Sequence, residues 1–325
     1  FVFDLPSNRQ VAELSHRRLY GLGMHPDGEQ LVTAGWDSMV RVWSVNTGEV
    51  THERKHELLQ KGDTRMYGVK FSPDQQRIAT LNMSGSVSIL DLELNALREI
   101  TLSRSPVYDC FAFSKNGLWL AVGEMGGGAT VVDVHSGEQL WVHKCHDNSI
   151  YNIEFGPDDR TLLTGGSDGV NYVWDLSQTA KSAEADANDI AANLWSTDGR
   201  SAFDAFQYLA SRPEVALPAV VASVEQQFAT FDSANQDRID DMIQQFERDE
   251  ALGEADWNQL AQVGLGTVFA IERVLSEKFA AFEDSDPRVK NLQTLREQLD
   301  RRVWALGRAF YLVAIMDSPE AEKQL

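Results

Sequence analysis

The run His52-Glu53-Arg54-Lys55-His56 spells the pattern His-Glu-x-x-His. On an α-helix that spacing puts both imidazoles on one face, where they can hold a zinc ion, and sets the glutamate beside the metal-bound water as a general base. His143, Cys145 and His146 form a second apparent cluster of metal-ligating types. Gly126-Gly127-Gly128 would suit a loop whose N–H groups cradle a phosphate, provided a helix followed it. Each of these chemistries depends on the element that carries the residues.

That element is set by a repeat. The lines YGLGMHPDGEQLVTAGWDSMVRVWSV from Tyr20, YGVKFSPDQQRIATLNMSGSVSILDL from Tyr67, DCFAFSKNGLWLAVGEMGGGATVVDV from Asp109 and YNIEFGPDDRTLLTGGSDGVNYVWDL from Tyr151 share one register. Their pre-turn apolar residues are Met24, Phe71, Phe113 and Phe155, and their third runs end at Trp43, Leu90, Val132 and Trp174. Both series step by 47, 42 and 42 residues. Several short alternating runs per unit of that length predict four-stranded β units packed radially.

The His-Glu-x-x-His run then falls in an outer strand. At about 3.3 Å per residue its two rings stand roughly 13 Å apart and cannot share a zinc ion. The glycine run sits between two strands and predicts a hairpin. Neighbouring side chains of His143, Cys145 and His146 point to opposite faces. No catalytic residue, metal site or cofactor is expected.

Within these units the chain resembles the WD-repeat family. Trp174-Asp175 is the name-giving dipeptide, and His146, Thr164, Asp168 and Trp174 fall where that family keeps a hydrogen-bonded tetrad. His16, Thr33, Asp37 and Trp43 repeat the set. The middle units depart from it, with Ser84 and Gly126 at the Asp position and Leu90 and Val132 at the Trp position, so apolar packing alone is expected to hold them. Residues 1–15 read as the last two strands of an earlier blade, with Phe3 where Trp43 and Trp174 sit, and no fourth strand is visible after Trp174. Since the family closes rings of about seven blades, the resemblance implies an open arc and a piece of a longer chain.

From Thr179 to Asn188 large apolar residues stop, and beyond them the hydrophobic period changes from two to about 3.6. The expected organisation is a partial propeller over 1–178, a linker over 179–188 and an α-helical domain over 189–325. Helices are predicted around Phe203–Leu209, capped by Thr197 or Asp198, and over Val215–Phe228, Gln236–Arg248, Asp256–Phe282, Val289–Arg302 and Val303–Met316, with another opening at Asp317. Trp195, Trp257 and Trp304 read as core. The segments IAANLWSTDGRSAFDAFQYLASRPEVALPAVVASV and LGRAFYLVAIMDSPEAEKQL resemble the HEAT-like module that follows WD repeats in large planctomycete-type bacterial proteins; a plain helical bundle is the alternative. The fold class is thus multidomain β plus α, an open WD-repeat propeller followed by an all-α HEAT-like domain.

The net charge of −20 is shared between the halves, −8 over residues 1–180 and −12 over 181–325, which argues against a nucleic-acid partner. Two cysteines without Cys-x-x-Cys spacing read as packed thiols. No apolar run reaches the roughly 18 residues that span a bilayer, and a cytoplasmic location is expected. Candidate partner-binding residues are Tyr20, Tyr67, Asp109 and Tyr151, at the start of each innermost strand, where the family binds partners around the central channel. Three tyrosines with one carboxylate would favour a basic or proline-containing peptide; the alternative is that the rings only pack between blades. The expected function is a non-catalytic protein-interaction scaffold, with the regulatory end of a larger enzyme, for example a kinase-like protein, as the rival.

Overall fold

The computed structural model describes residues 2–4, 9–12, 14–16, 18–55, 64–102, 106–179, 186–196, 198–229, 305, 307–309 and 311–312. The chain divides into two compact units, Phe1–Gln178 and Thr179–Leu325.

The first unit is a series of antiparallel sheets. β1 (Val2–Asp4) and β2 (Arg9–Ala12) pair with each other. β3 (Leu19–Met24), β4 (Gln30–Gly35), β5 (Met39–Ser44) and β6 (Val50–Lys55) form the first full sheet. β7 (Met66–Phe71), β8 (Ile78–Asn82), β9 (Ser86–Leu90) and β10 (Ala96–Thr101) form the second, and β11 (Pro106–Phe113), β12 (Trp119–Glu124), β13 (Gly128–Asp133) and β14 (Gln139–Lys144) the third. The fourth has three strands, β15 (Ile150–Phe155), β16 (Thr161–Gly166) and β17 (Asn171–Asp175). Each sheet is a meander in chain order, and the innermost strands follow one another, β3 beside β7, β7 beside β11 and β11 beside β15. This is an open, propeller-like arrangement.

Stacking on both faces explains the composition. Every residue of β8, β9, β12 and β13 is buried, so these strands are near-continuous apolar runs instead of alternating ones. Val32, Val42, Val69 and Ile78 fill the space between the first and second sheets, and Leu81, Ile89, Phe111 and Leu120 the space between the second and third. β6, on the outside, reads VTHERK and is largely exposed.

The turns between first and second strands also tie the sheets together. One position of that turn is left-handed in every sheet, at Gly28, Gln75, Gly117 and Asp159, with φ of 77°, 63°, 71° and 57°. Asp159 is fully buried, and its carboxylate reaches the turn of the third sheet, accepting the backbone N–H groups of Lys115 at 2.6 Å and Asn116 at 2.9 Å. An aspartate tolerates the left-handed region, and here the conformation aims its side chain at two donors.

In the second unit, Asp186 caps α1 (Ala187–Asn193) by accepting the N–H of Asn188, so this helix starts inside the stretch read as linker. Asp198 caps α2 (Gly199–Ala210) through the N–H of Ser201. α3 (Pro213–Ala229) begins at Pro213, a residue suited to the first helical position. The indole of Trp195 donates to Ser223 Oγ at 2.6 Å, joining the end of α1 to α3. Phe206 stacks on Tyr311, with ring centroids 6.1 Å apart. The helices expected over 236–248, 256–282 and 289–302, most of 303–316, the one opening at Asp317, and Trp257 and Trp304 lie outside the described residues. No described helix is long and apolar enough to cross a membrane.

Candidate interaction site

His52 and Glu53 lie on β6 and His143 on β14, while Cys145 and His146 follow the end of β14. In β6, His52 stands opposite Val42 and Glu53 opposite Arg41, so the two side chains leave opposite faces. Glu53 accepts from Arg41 Nε at 3.3 Å. His56 lies outside the described residues. His143 packs against Trp141 and Trp174, at centroid distances of 5.5 and 4.9 Å. The buried Cys145 thiol is pushed up to about 12, by desolvation first and by the charge of Glu124 second, so it stays protonated at neutral pH. Among the described residues no group of three or more His, Cys, Asp or Glu side chains is arranged to hold a metal ion. Gly127 forms a tight turn from β12 to β13, its N–H bonded to Glu124 O at 3.0 Å.

Two polar chains cross the sheets. Trp43 donates its indole N–H to Thr33 Oγ1 at 2.7 Å; Thr33 meets His16 Nδ1 at 2.7 Å, and His16 Nε2 reaches Asp37 Oδ1 at 3.0 Å. In the fourth sheet Trp174 donates to Thr164 at 2.9 Å, Thr164 meets His146 Nε2 at 2.8 Å, and His146 Nδ1 faces Asp168 at 3.0 Å. With the ring nitrogen beside each aspartate carrying the proton, every donor in the chain meets an acceptor, which a buried polar row requires. Each aspartate also accepts a turn N–H, from Met39 or Val170, at 3.1 Å.

The second and third sheets are not held by apolar packing alone, contrary to expectation. The last residue of the second strand is Gly35 or Gly166 in the tetrad sheets, but Asn82 or Glu124 in the others. Asn82 Oδ1 accepts from Ser84 Oγ at 2.8 Å and from the N–H of Ser86 at 2.9 Å, the turn contact that Asp37 and Asp168 make elsewhere. Buried Glu124 accepts from Thr130 Oγ1 at 2.8 Å. In the tetrad sheets a Cβ in that column would collide with the histidine ring.

The register tyrosines share a backbone device and differ in exposure. The pairing of innermost to second strand shifts between Leu19 and Gly21, between Met66 and Gly68, and between Ile150 and Asn152. Tyr20, Tyr67 and Tyr151 are therefore the extra residues of three β-bulges, positions that re-aim a side chain. Tyr151 is 65% exposed and Tyr20 44%, but Tyr67 is 1% exposed, which removes it from any surface a partner touches. Asp109 lies in the corresponding irregular stretch of β11, between Pro106 and Phe111. Tyr20 is stacked flat on Trp36, with centroids 4.4 Å apart and planes at 3°, and the Arg65 guanidinium stands 4.9 Å from the centroid of the same indole. Trp36 and Arg65 were not among the candidates. A Trp just after the second strand and an Arg just before the next innermost strand were the available signal.

Comparison with known proteins fits this architecture. The family pattern described as WD domain, G-beta repeat, matches residues 8–44 and 137–175, the two segments that contain the His–Thr–Asp–Trp chains. Those two segments are similar to WD repeats. The chain is similar to human Echinoderm microtubule-associated protein-like 2, at 27% identity over 173 residues, 52% of this chain and 26% of that protein. Actin-interacting protein 1-2 of Arabidopsis thaliana is 23% identical over 159 residues, 48% of this chain and 26% of that one. The Protein LST8 homolog of Drosophila melanogaster is 24% identical over 191 residues, 55% of this chain and 60% of that one. The chain thus spans about a quarter of the length of the first two relatives. The computationally designed Ika4 protein aligns over 52% of this chain and 98% of its own at a TM-score of 0.44 and 19% identity, too low a likeness to carry an argument.

Proposed function

We propose that this protein is a non-catalytic interaction scaffold that grips a protein or peptide at the bulged rim of its WD-repeat sheets. WD-repeat proteins serve as protein-binding scaffolds, and a general protein-binding role fits. The observation that carries the finer reading is the Tyr20–Trp36 stack. It pins an exposed aromatic ring to the Trp36 indole, over which the Arg65 guanidinium stands, so little side-chain freedom remains to be lost when a partner arrives. Preorganised Tyr, Trp and Arg are the residue types that dominate interface energetics. The ring suits a basic or proline-containing segment, which packs on an aromatic face. In the same reading residues 189–325 form a HEAT-like helical module offering a second docking surface.

The test is photo-crosslinking with the full chain carrying p-benzoylphenylalanine at position 20 or, on the outer strand β10, at position 97. Partner capture from position 20 and not from 97 is expected. Equal capture from both positions, or capture from 97 only, overturns the rim assignment.

A further inference from the structure

Asn116-Gly117 is the one Asn-Gly step in the sequence. A following residue without a Cβ lets its backbone nitrogen close on the asparagine side chain most readily, so deamidation is expected at this step before any other. It sits in the turn from β11 to β12, at the far end of that innermost strand from Asp109. The other sheets carry Asp27, Asp74 and Asp158 at this place. Each accepts the N–H two residues on, from Glu29 at 2.8 Å, Gln76 at 3.1 Å and Arg160 at 3.1 Å. Asn116 makes the same bond through Oδ1, to the Leu118 N–H at 2.9 Å.

The neighbouring sheet sets this turn apart. The turns of the first and second sheets are met by Gln75 and Gly117, which carry no charge, whereas the third is met by the buried carboxylate of Asp159. The atoms that deamidation must bring together are held. Gly117 N–H donates to Ser114 O at 2.9 Å, Asn116 Oδ1 also accepts from Ser114 Oγ at 2.7 Å, and Asn116 N–H donates to Asp159 at 2.9 Å. Nδ2, the nitrogen that would leave, has no hydrogen-bond partner among the described residues, so its loss breaks no bond. Asn116 is only partly buried and Lys115 beside it is exposed, so water has access.

We propose that Asn116 is a one-way modification site gated by the Asp159 joint. When the joint opens, Gly117 N attacks Asn116 Cγ; the N–Cγ bond forms, the Cγ–Nδ2 bond breaks, and ammonia leaves with the proton from Gly117 N. Water then opens the succinimide, leaving a carboxylate on residue 116 in aspartate or isoaspartate form, with nothing oxidised or reduced. The aspartate form keeps the acceptor for the Leu118 N–H, as Asp27, Asp74 and Asp158 do for theirs. Its charge stands on the residue whose N–H Asp159 accepts, and two carboxylates there repel. The isoaspartate form lengthens the main chain beside the N–H groups that Asp159 holds. Either product opposes re-closure and leaves the third and fourth sheets more loosely joined. None of these residues belongs to the rim, so this site stands or falls separately from it.

Peptide mapping of the full chain, incubated at neutral pH, tests the gate, with Asn148 before Ser149 as the control in the same digest. Conversion at 116 is about tenfold or more slower in the folded chain than in the chain unfolded in urea, and Asp159→Ala raises the folded rate about fivefold or more without changing the rate at 148. Equal rates in folded and unfolded chain, or an unchanged rate in folded Asp159→Ala, overturn the proposal. Should Asp159→Ala not fold, a double-mutant cycle takes its place. Asn116→Asp lowers the folding constant about fivefold or more in the natural chain and less than about twofold in the Asp159→Asn background. An equal loss in both backgrounds overturns the proposal as well.

Discussion

Gly166 backs onto the imidazole of His146 so closely that a Cβ added there would stand 2.3 Å from Nδ1. The same contact recurs at Gly35, 2.9 Å from His16 Nε2. The glycine is what lets a histidine reach Thr164 and Asp168. Gly166→Ala forces the ring out and leaves buried polar groups unpaired, an expected loss of about 1–3 kcal/mol. Gly126, where an added Cβ meets nothing within 4 Å, is the control, and Gly126→Ala stays within about 0.5 kcal/mol. Denaturant titration of both variants measures the difference.

Asp159 joins the third and fourth sheets through two backbone donors. Asp159→Ala strands the N–H groups of Lys115 and Asn116 and places a residue without a polar side chain in a left-handed conformation. The expected cost is about 2–4 kcal/mol. Faster exchange at the amides of 115 and 116, compared with those of 72–77 in the second sheet, would locate the loss at this joint.

Acid should weaken the tetrad sheets. Asp168 is held below 3.8 chiefly by the N–H of Val170, with desolvation opposing and His146 adding to the effect. For Asp37 burial is the largest influence and acts upward, yet the bonds from His16, Met39 and Arg41 together hold it below 3.8. A carboxyl depressed in the folded state contributes stability that is fully present above its unfolded value and is lost as pH falls through the folded one. Stability is therefore flat near neutrality and declines below about pH 4. Asp37→Asn and Asp168→Asn start lower and decline less, as denaturation at stepped pH will show.

Both cysteines are buried, and the Cys145 thiol is raised to about 12. Neither is expected to react with iodoacetamide at neutral pH in the native protein, and both react once it is denatured. Mass spectrometry after timed labelling gives the answer directly.

The strands were legible because the repeat fixes a register and each turn carries its own glycine or aspartate. The two tetrads were legible because their four residue types recur at matching offsets. Asn82 and Glu124 were missed although their column was in view: the signal was a glycine replaced by a side chain, which has meaning only once the neighbouring histidine is known to need that space. Tyr20 and Tyr67 could not be told apart, since one bulge position is exposed and the other buried by what packs on it, which a single strand's sequence does not encode. Trp36 meets Tyr20 from the turn after β4, and Arg65 meets Trp36 from just before β7, so no local spacing pointed to the stack.

The most direct measurement is the affinity of a captured partner for the full chain and three variants, Tyr20→Ala, Tyr151→Ala and Tyr67→Phe. Rim docking predicts that Tyr20→Ala weakens binding about tenfold or more, that Tyr151→Ala weakens it measurably, and that buried Tyr67→Phe leaves it unchanged. Unchanged affinity in Tyr20→Ala and Tyr151→Ala, with both variants folded, would contradict it.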